Sequence, residues 1–288
     1  MRGSRAFSSR FPIQCHLDDH QKGRPRPPYL RALGLSEPPT EVEVDGVRYL
    51  RREVFKHDSW AATALYGDGK CIEGHELDQQ RIVCKFNRQA PLGLIPMRWL
   101  GRLLARRETD LLAKLQGVAG IPHVYRDVQV HGESVRHVSA HTFIEGKPLS
   151  LASNVGKDFF DRLDQLIREL HVRRIAYIDL HKQENVIVGK DGNPYLMDFQ
   201  ISLRVPSLRW WNPLLRVLCE CDRYHIAKHR SSHELPGSEL VRPWIIRVHR
   251  TFGRPLRTLR RKLLVWLGVR RGDGYANSEI SPEVGLRR

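Results

Sequence analysis

The sequence predicts an α+β fold, and three observations carry that reading. Arg81-Ile-Val-Cys-Lys-Phe-Asn87 alternates like a β-strand, residues 106–115 repeat apolar side chains at helical spacing, and two apolar runs flank a turn between residues 186 and 197. Lys85 sits within the strand. In the helix, Leu111, Leu112 and Leu115 share one face, Glu108 stands one turn earlier, and Gly117 with Gly120-Ile-Pro122 ends it. Phe159, Leu163, Leu166, Ile167 and Leu170 fit a second amphipathic helix. Val186 to Val188 and Tyr195 to Met197 are the paired runs, and Asp191-Gly192-Asn193-Pro194 between them is hairpin turn chemistry.

The hairpin has a chemical consequence. Asn185 ends the loop before its first strand and Asp198 ends its second, so both side chains come to one edge. An amide oxygen and a carboxylate converging there, with Asp179 nearby, suit a hard cation such as Mg²⁺. The order strand lysine, helix glutamate, helix, loop Asp179, Asn185, hairpin, Asp198-Phe199 resembles the protein-kinase-like superfamily over residues 45 to 230. The chain looks closest to its small atypical branches, the RIO-type kinases and the lipopolysaccharide core sugar (Kdo/heptose) kinases.

That resemblance implies a two-lobed protein-kinase-like fold, with an antiparallel β-sheet N-lobe over residues 41–145 and a short, mainly helical C-lobe over 146–253. Residues 1–40 read as a disordered basic tail and linker, and 254–288 as a basic C-terminal segment. It also implies ATP and Mg²⁺ as cofactors. Lys85, fixed by Glu108, would hold the α- and β-phosphates; Asn185 and Asp198 would hold the metal; Asp179 would position the acceptor hydroxyl and take its proton. Val138 to Gly146 resembles the strand and hinge against which adenine lies, with Thr142 and Ile144 as its contacts.

Departures from the family pattern are equally specific. The usual His-Arg-Asp is Tyr177-Ile178-Asp179, and five residues separate Asp179 from Asn185 where the family has four. Gln200 replaces the glycine of Asp-Phe-Gly, losing that residue's backbone freedom. No glycine occurs from Phe55 to Leu65, where a Gly-rich loop belongs, so phosphate contacts there fall to the amides of His57 to Trp60. No Ala-Pro-Glu follows Asp198, which points to a compact, constitutively assembled site.

Composition bounds the rest. The 288 residues accommodate one two-lobed domain with tails, and 41% hydrophobic content fills its cores. Five cysteines, an odd number, form no disulfide framework and favour a reducing, cytoplasmic compartment. Met1 to Gln14 is rich in Arg and Ser and free of acids, which fits a transit peptide or, as read here, a basic tail. Of the net charge of +16, residues 1–40 carry +4 and residues 202–288 carry +11, so the catalytic body is nearly neutral.

Three Trp-bearing basic stretches narrow the partners: Pro91 to Leu100, Arg209 to Arg216, and Arg254 to Arg271, the last with seven basic residues and a stripe through Leu256, Leu259, Leu263, Trp266 and Leu267. They fit peripheral contact with an anionic membrane, at its inner face, better than nucleic acid. For the last stretch, the competing reading is a final C-lobe helix with its stripe buried. Cys219-x-Cys221 followed by His225, His229 and His233 fits a Zn²⁺ site less well than a core helix, because the cysteines stand too close. The leading functional expectation is a kinase acting on a protein Ser/Thr or a glycolipid sugar. The alternatives are a pseudokinase or nucleotide-binding scaffold without turnover, and an RNP-associated ATPase of RIO type.

Overall fold

A computed structural model describes residues 28–68, 80–92, 94–153, 155–233 and 235. Residues 1–27 of the expected tail and the whole of the expected segment 254–288 lie outside them.

The first lobe is built from β1 (Glu41–Val44), β2 (Val47–His57), β3 (Ala61–Gly67), β4 (Arg81–Asn87), α1 (Arg98–Lys114), β5 (Val124–Tyr125), β6 (Val128–Val130), β7 (Glu133–Ser134) and β8 (Val138–Thr142). Its strands form one antiparallel sheet in the order β5-β8-β4-β3-β2-β1-β6-β7. Period-two alternation divides β4 between two environments. Ile82, Cys84 and Phe86 enter the sheet's own core beside Tyr49, Ala64, Tyr66 and Ala140. Val83, Lys85 and Asn87 therefore face the other way, and Lys85 stands opposite Thr63 on β3 and Ser139 on β8.

The second lobe follows Phe143 to Glu145. It comprises β9 (Gly146–Pro148), α2 (Lys157–Val172), β10 (Ile175–Ala176), β11 (Val186–Gly189), β12 (Pro194–Leu196), β13 (Leu203–Arg204) and α3 (Asn212–Ser232). The five apolar residues expected to line one helical face are buried in α2, together with Phe160. They pack with Leu111, Leu112 and Leu115 of α1, so the helix that carries Glu108 roots in the second lobe's core. The hairpin forms as predicted, with β11 and β12 antiparallel and β9 on β11's other edge. This is the two-lobed α+β architecture expected, an antiparallel sheet followed by a lobe with two long helices.

Two boundaries differ from expectation. Residues 28–40, read as tail, pack onto the first lobe. The fully buried Arg88 guanidinium donates to the carbonyls of Tyr29 (3.2 Å), Ser59 (2.7 Å) and Pro91 (2.8 Å), and Tyr66 Oη donates to Pro39 O. Proline-rich composition hid this, because the anchoring donors lie in distant strands.

Helix α1 also begins at Arg98 rather than near Arg106. Its first turns lack an apolar stripe, yet they are rich in good helix formers. They also pass so close to the end of β4 that a Cβ on Gly101 would meet Arg88 O at 2.2 Å. Gly101→Ala is expected to lower stability by about 1–3 kcal/mol through overpacking, although alanine favours a helix by about 1 kcal/mol. Thermal melting decides the sign, and a raised melting temperature would show that the contact relaxes without strain.

Candidate active site

Lys85 is the centre of the site. Its Nζ donates to Asp198 Oδ1 at 2.7 Å and to Glu108 Oε1 at 3.3 Å, in a nearly dry environment. Glu108 is itself held from two further sides, by Ser139 Oγ (2.8 Å) and by the Phe199 amide (3.2 Å). Strand, helix and post-hairpin loop thus meet on one ammonium group. Burial alone would lower the Lys85 pKa, but the Glu108 and Asp198 carboxylates outweigh it and the net direction is upward from 10.5. For Asp198 the same balance runs the other way: burial raises its pKa, Lys85 lowers it, and the net direction is below 3.8.

The sign of the pH dependence follows. A depressed Asp198 contributes stability above the unfolded carboxylate value and loses it as pH falls through its folded pKa. A raised Lys85 contributes below 10.5 and loses its share only as pH rises through its own folded value. Between pH 5 and 8 the Lys85–Asp198 pair is therefore fully ionised. Lys85→Met removes the cation and leaves Glu108 and Asp198 facing each other across its former place. We expect a loss of about 3–5 kcal/mol at pH 8, which shrinks towards pH 5 as Asp198, without the cation that held its pKa down, takes a proton. Melting temperatures of both proteins across that range test this, and a loss that grows on acidification would contradict it.

The loop before the hairpin brings Asp179 and Asn185 together despite its additional residue. Two successive 3₁₀ turns, Asp179–His181 and Gln183–Asn185, absorb the extra length. Asn185 Nδ2 donates to Asp179 Oδ2 at 2.7 Å, and Lys182 Nζ donates to the same oxygen at 2.8 Å. Asp179 Oδ1 is buried and accepts no well-formed hydrogen bond among the described residues, although His181 Nδ1 lies 3.2 Å away. Ile178, just before it, is the centre of a tight γ-turn closed by Asp179 N–H to Tyr177 O, with φ 69° and ψ −38°. That geometry is strained for a β-branched residue.

What holds the strained turn was not foreseen from sequence. Asp222 of α3, fully buried, accepts the amides of Tyr177 (2.9 Å) and Ile178 (2.8 Å) and pairs with His171 Nε2 (3.0 Å). His229 meets the carbonyl of Leu180, and Tyr177 Oη donates to Met197 O. The available signal was positional. Asp222, His225, Ile226 and His229 fall at i, i+3, i+4 and i+7, so one buried helical face carries three polar groups. His171 and His229 serve that network. Among the described residues no group of three or more His, Cys, Asp or Glu side chains could hold a metal ion, and Cys219 and Cys221, two apart on a helix, diverge by about 200°.

Two sequence expectations require correction. The β2–β3 turn offers little to a phosphate, because Asp58 Oδ1 accepts the amides of Trp60 (2.7 Å) and Ala61 (2.9 Å), and the Asp58 amide binds Ala61 O (3.0 Å). A carboxylate caps the turn in place of glycine. Thr142 is likewise engaged within the sheet: its amide donates to His123 O (2.8 Å) and its Oγ1 accepts the His123 amide (3.0 Å). The Phe143 carbonyl and both backbone groups of Ile144 make no backbone hydrogen bond among the described residues. Gln200 uses its side chain to donate to Asn87 Oδ1, and the left-handed residue of the loop is Asp198, at φ 56°.

No protein-family model matches the chain, and no curated protein sequence matches it. Among solved structures it is similar to the Rio2 kinase–ADP/Mg²⁺–phosphoaspartate complex from Chaetomium thermophilum, at 12% identity over 74% of this chain and 70% of that one, with a TM-score of 0.44. It is also similar to the Rio2 kinase from the same organism, at 13% identity over 71% and 70%, with a TM-score of 0.43.

The donor set suits Mg²⁺. Asp198 Oδ2 makes no hydrogen bond among the described residues, its side chain is about one-third exposed, and the Asn185 amide turns its nitrogen to Asp179, which leaves its oxygen for other partners. Magnesium takes one or two carboxylates and completes its shell from water and substrate phosphates, so two protein oxygens suffice.

Proposed function

We propose that this chain is an ATP- and Mg²⁺-dependent phosphotransferase acting on a hydroxyl group. The observation that carries this reading is the Lys85 ammonium held jointly by Glu108 and Asp198, on the loop whose neighbouring turn pairs Asp179 with Asn185. Bound MgATP supplies the transferable phosphoryl group. The protein's part is positioning and electrostatics, which dominate catalysis when the transition state is loose. Lys85 orients the α- and β-phosphate oxygens, and Glu108 keeps it from swinging onto Asp198 alone. Asp198 Oδ2 and Asn185 Oδ1 offer oxygen ligands. Asp179 Oδ1 receives the hydroxyl proton. The Phe143 carbonyl and Ile144 amide take the adenine edge. The acceptor is a protein Ser/Thr or a glycolipid sugar.

A second reading, a nucleotide-binding scaffold without turnover, draws support from Asp58, which occupies amides that a Gly-rich loop would turn to phosphate. One experiment separates the two. MgATP should raise the melting temperature more than ATP with EDTA, and ADP should accumulate when acceptor is supplied. A melting shift with no ADP, in a lysate supplying both proteins and lipids, would leave the scaffold reading standing. Radiolabel from ATP, followed into lipid and protein fractions of that lysate, assigns the acceptor.

A further inference from the structure

The outer face of α1 interleaves arginines with apolar side chains. At 3.6 residues per turn, Arg98, Arg102, Arg106, Trp99 and Leu103 fall within one half of the helix circumference, with Trp99 and Leu103 opposite the buried Gly101, Ala105 and Glu108. All five are exposed, Trp99 to 60%. Just before the helix, backbone hydrogen bonds between Leu92 and Ile95 (2.9 and 3.0 Å) close a tight turn that leaves Leu94 fully exposed and Ile95 half-exposed. The turn is anchored rather than loose, because Leu92 and Met97 on either side are buried together, against Trp60 and Leu100. A fixed apolar tip therefore continues into a helix whose exposed face interleaves apolar and guanidinium groups.

Charge identifies the occupant. No acidic residue occurs from Arg88 to Arg107, and the next in the chain after the buried Glu108, Asp110, pairs with Arg106 at 3.6 Å. The concentration of positive charge reaches the neighbouring His137, whose pKa burial, with Arg102 and Arg98, pushes down to about 4. A second copy of this chain across a two-fold axis would bring like-charged arginines together. Nucleic acid would satisfy the guanidinium groups and leave Leu94, Ile95 and Leu103 in water. An anionic membrane satisfies both, with aliphatic side chains below the headgroups, Trp at the interface and arginines at the phosphates.

We propose that the Leu92–Ile95 turn and the first half of α1 form a peripheral docking surface for anionic lipid. This is independent of the phosphotransferase reading. The same helix carries Glu108, so docking would bear on the element that fixes Lys85.

The test uses full-length protein and sedimentation with phosphatidylcholine vesicles, with and without phosphatidylglycerol. Binding should require the anionic lipid. Leu94→Asp with Trp99→Asp should weaken it about tenfold or more, and Arg98→Gln with Arg102→Gln about fivefold per charge removed, both at unchanged melting temperature. Wild-type binding by the Leu94/Trp99 variant would overturn the proposal and assign any vesicle affinity to the basic C-terminal sequence. Equal binding to pure phosphatidylcholine would overturn its electrostatic half. Self-association that the same variant abolishes would make a second copy the occupant, and salt-sensitive RNA binding that only the arginine variant loses would make it nucleic acid; either sinks the lipid assignment.

Discussion

Asp198→Asn is expected to leave the fold standing and to reduce phosphoryl transfer by about three orders of magnitude, the loss typical when a single strong electrostatic contact to the reacting charge is removed. The amide oxygen still accepts from Lys85, and Lys85 keeps Glu108, so no buried charge is orphaned. What disappears is the free, partly exposed carboxylate oxygen proposed for the metal. Rates of ADP formation beside melting temperatures measure both halves. Near-wild-type turnover in a well-folded variant would remove Asp198 from the metal site and with it the central assignment.

A loss of stability as large as that of Lys85→Met is expected at Asp222, a residue placed to touch neither nucleotide nor acceptor. Asp222→Ala leaves the buried amides of Tyr177 and Ile178 without an acceptor, at about 1–3 kcal/mol each. It also frees the strained γ-turn at Ile178, which persists only where its surroundings enforce it, so Asp179 loses its position. The two amides together, near 4 kcal/mol, correspond to a fall of about 10 °C in melting temperature for a domain of this size. Asp222→Asn, which retains an acceptor oxygen, should recover part of both stability and turnover. An alanine variant that melts within about 2 °C of wild type would show that α3 does not hold the loop.

These two residues differ in how visible they are in the sequence. Asp198 is legible because its context is local: apolar runs, a four-residue turn and a carboxylate at the strand end lie within a dozen residues. Lys85 and Glu108 are legible in the same sense, the lysine by strand alternation and the glutamate by its distance from a leucine face. Their bond spans 23 positions, and Lys85 to Asp198 spans 113, yet each end could be recognised separately. Asp222 offers no such local signature. Its partners stand 44 to 51 residues earlier, at the end of α2 and in a loop whose pattern departs from the one it resembles.

Periodicity and turn chemistry are properties of neighbouring residues, so strand β4, helix α2 and the β11–β12 hairpin could be read directly from the chain. Partner choice for buried polar groups depends on which surfaces meet after collapse, and that required three dimensions. The capture of the β2–β3 amides by Asp58 looked like an open turn, since only the folded geometry tells whether an aspartate bends back onto its own backbone. The early start of α1 depends on Gly101 passing beneath the Arg88 carbonyl, and the packing of residues 28–40 depends on the same arginine. One residue thus touches two segments that carry no periodic signal of their own, α1 through its backbone carbonyl and the 28–40 segment through its guanidinium. The extra residue between Asp179 and Asn185 shows the limit in the opposite direction. Counted along the chain it breaks the family spacing, whereas two 3₁₀ turns take up the slack and Asn185 still reaches Asp179, because a hydrogen bond constrains where side chains end and not how many residues lie between them.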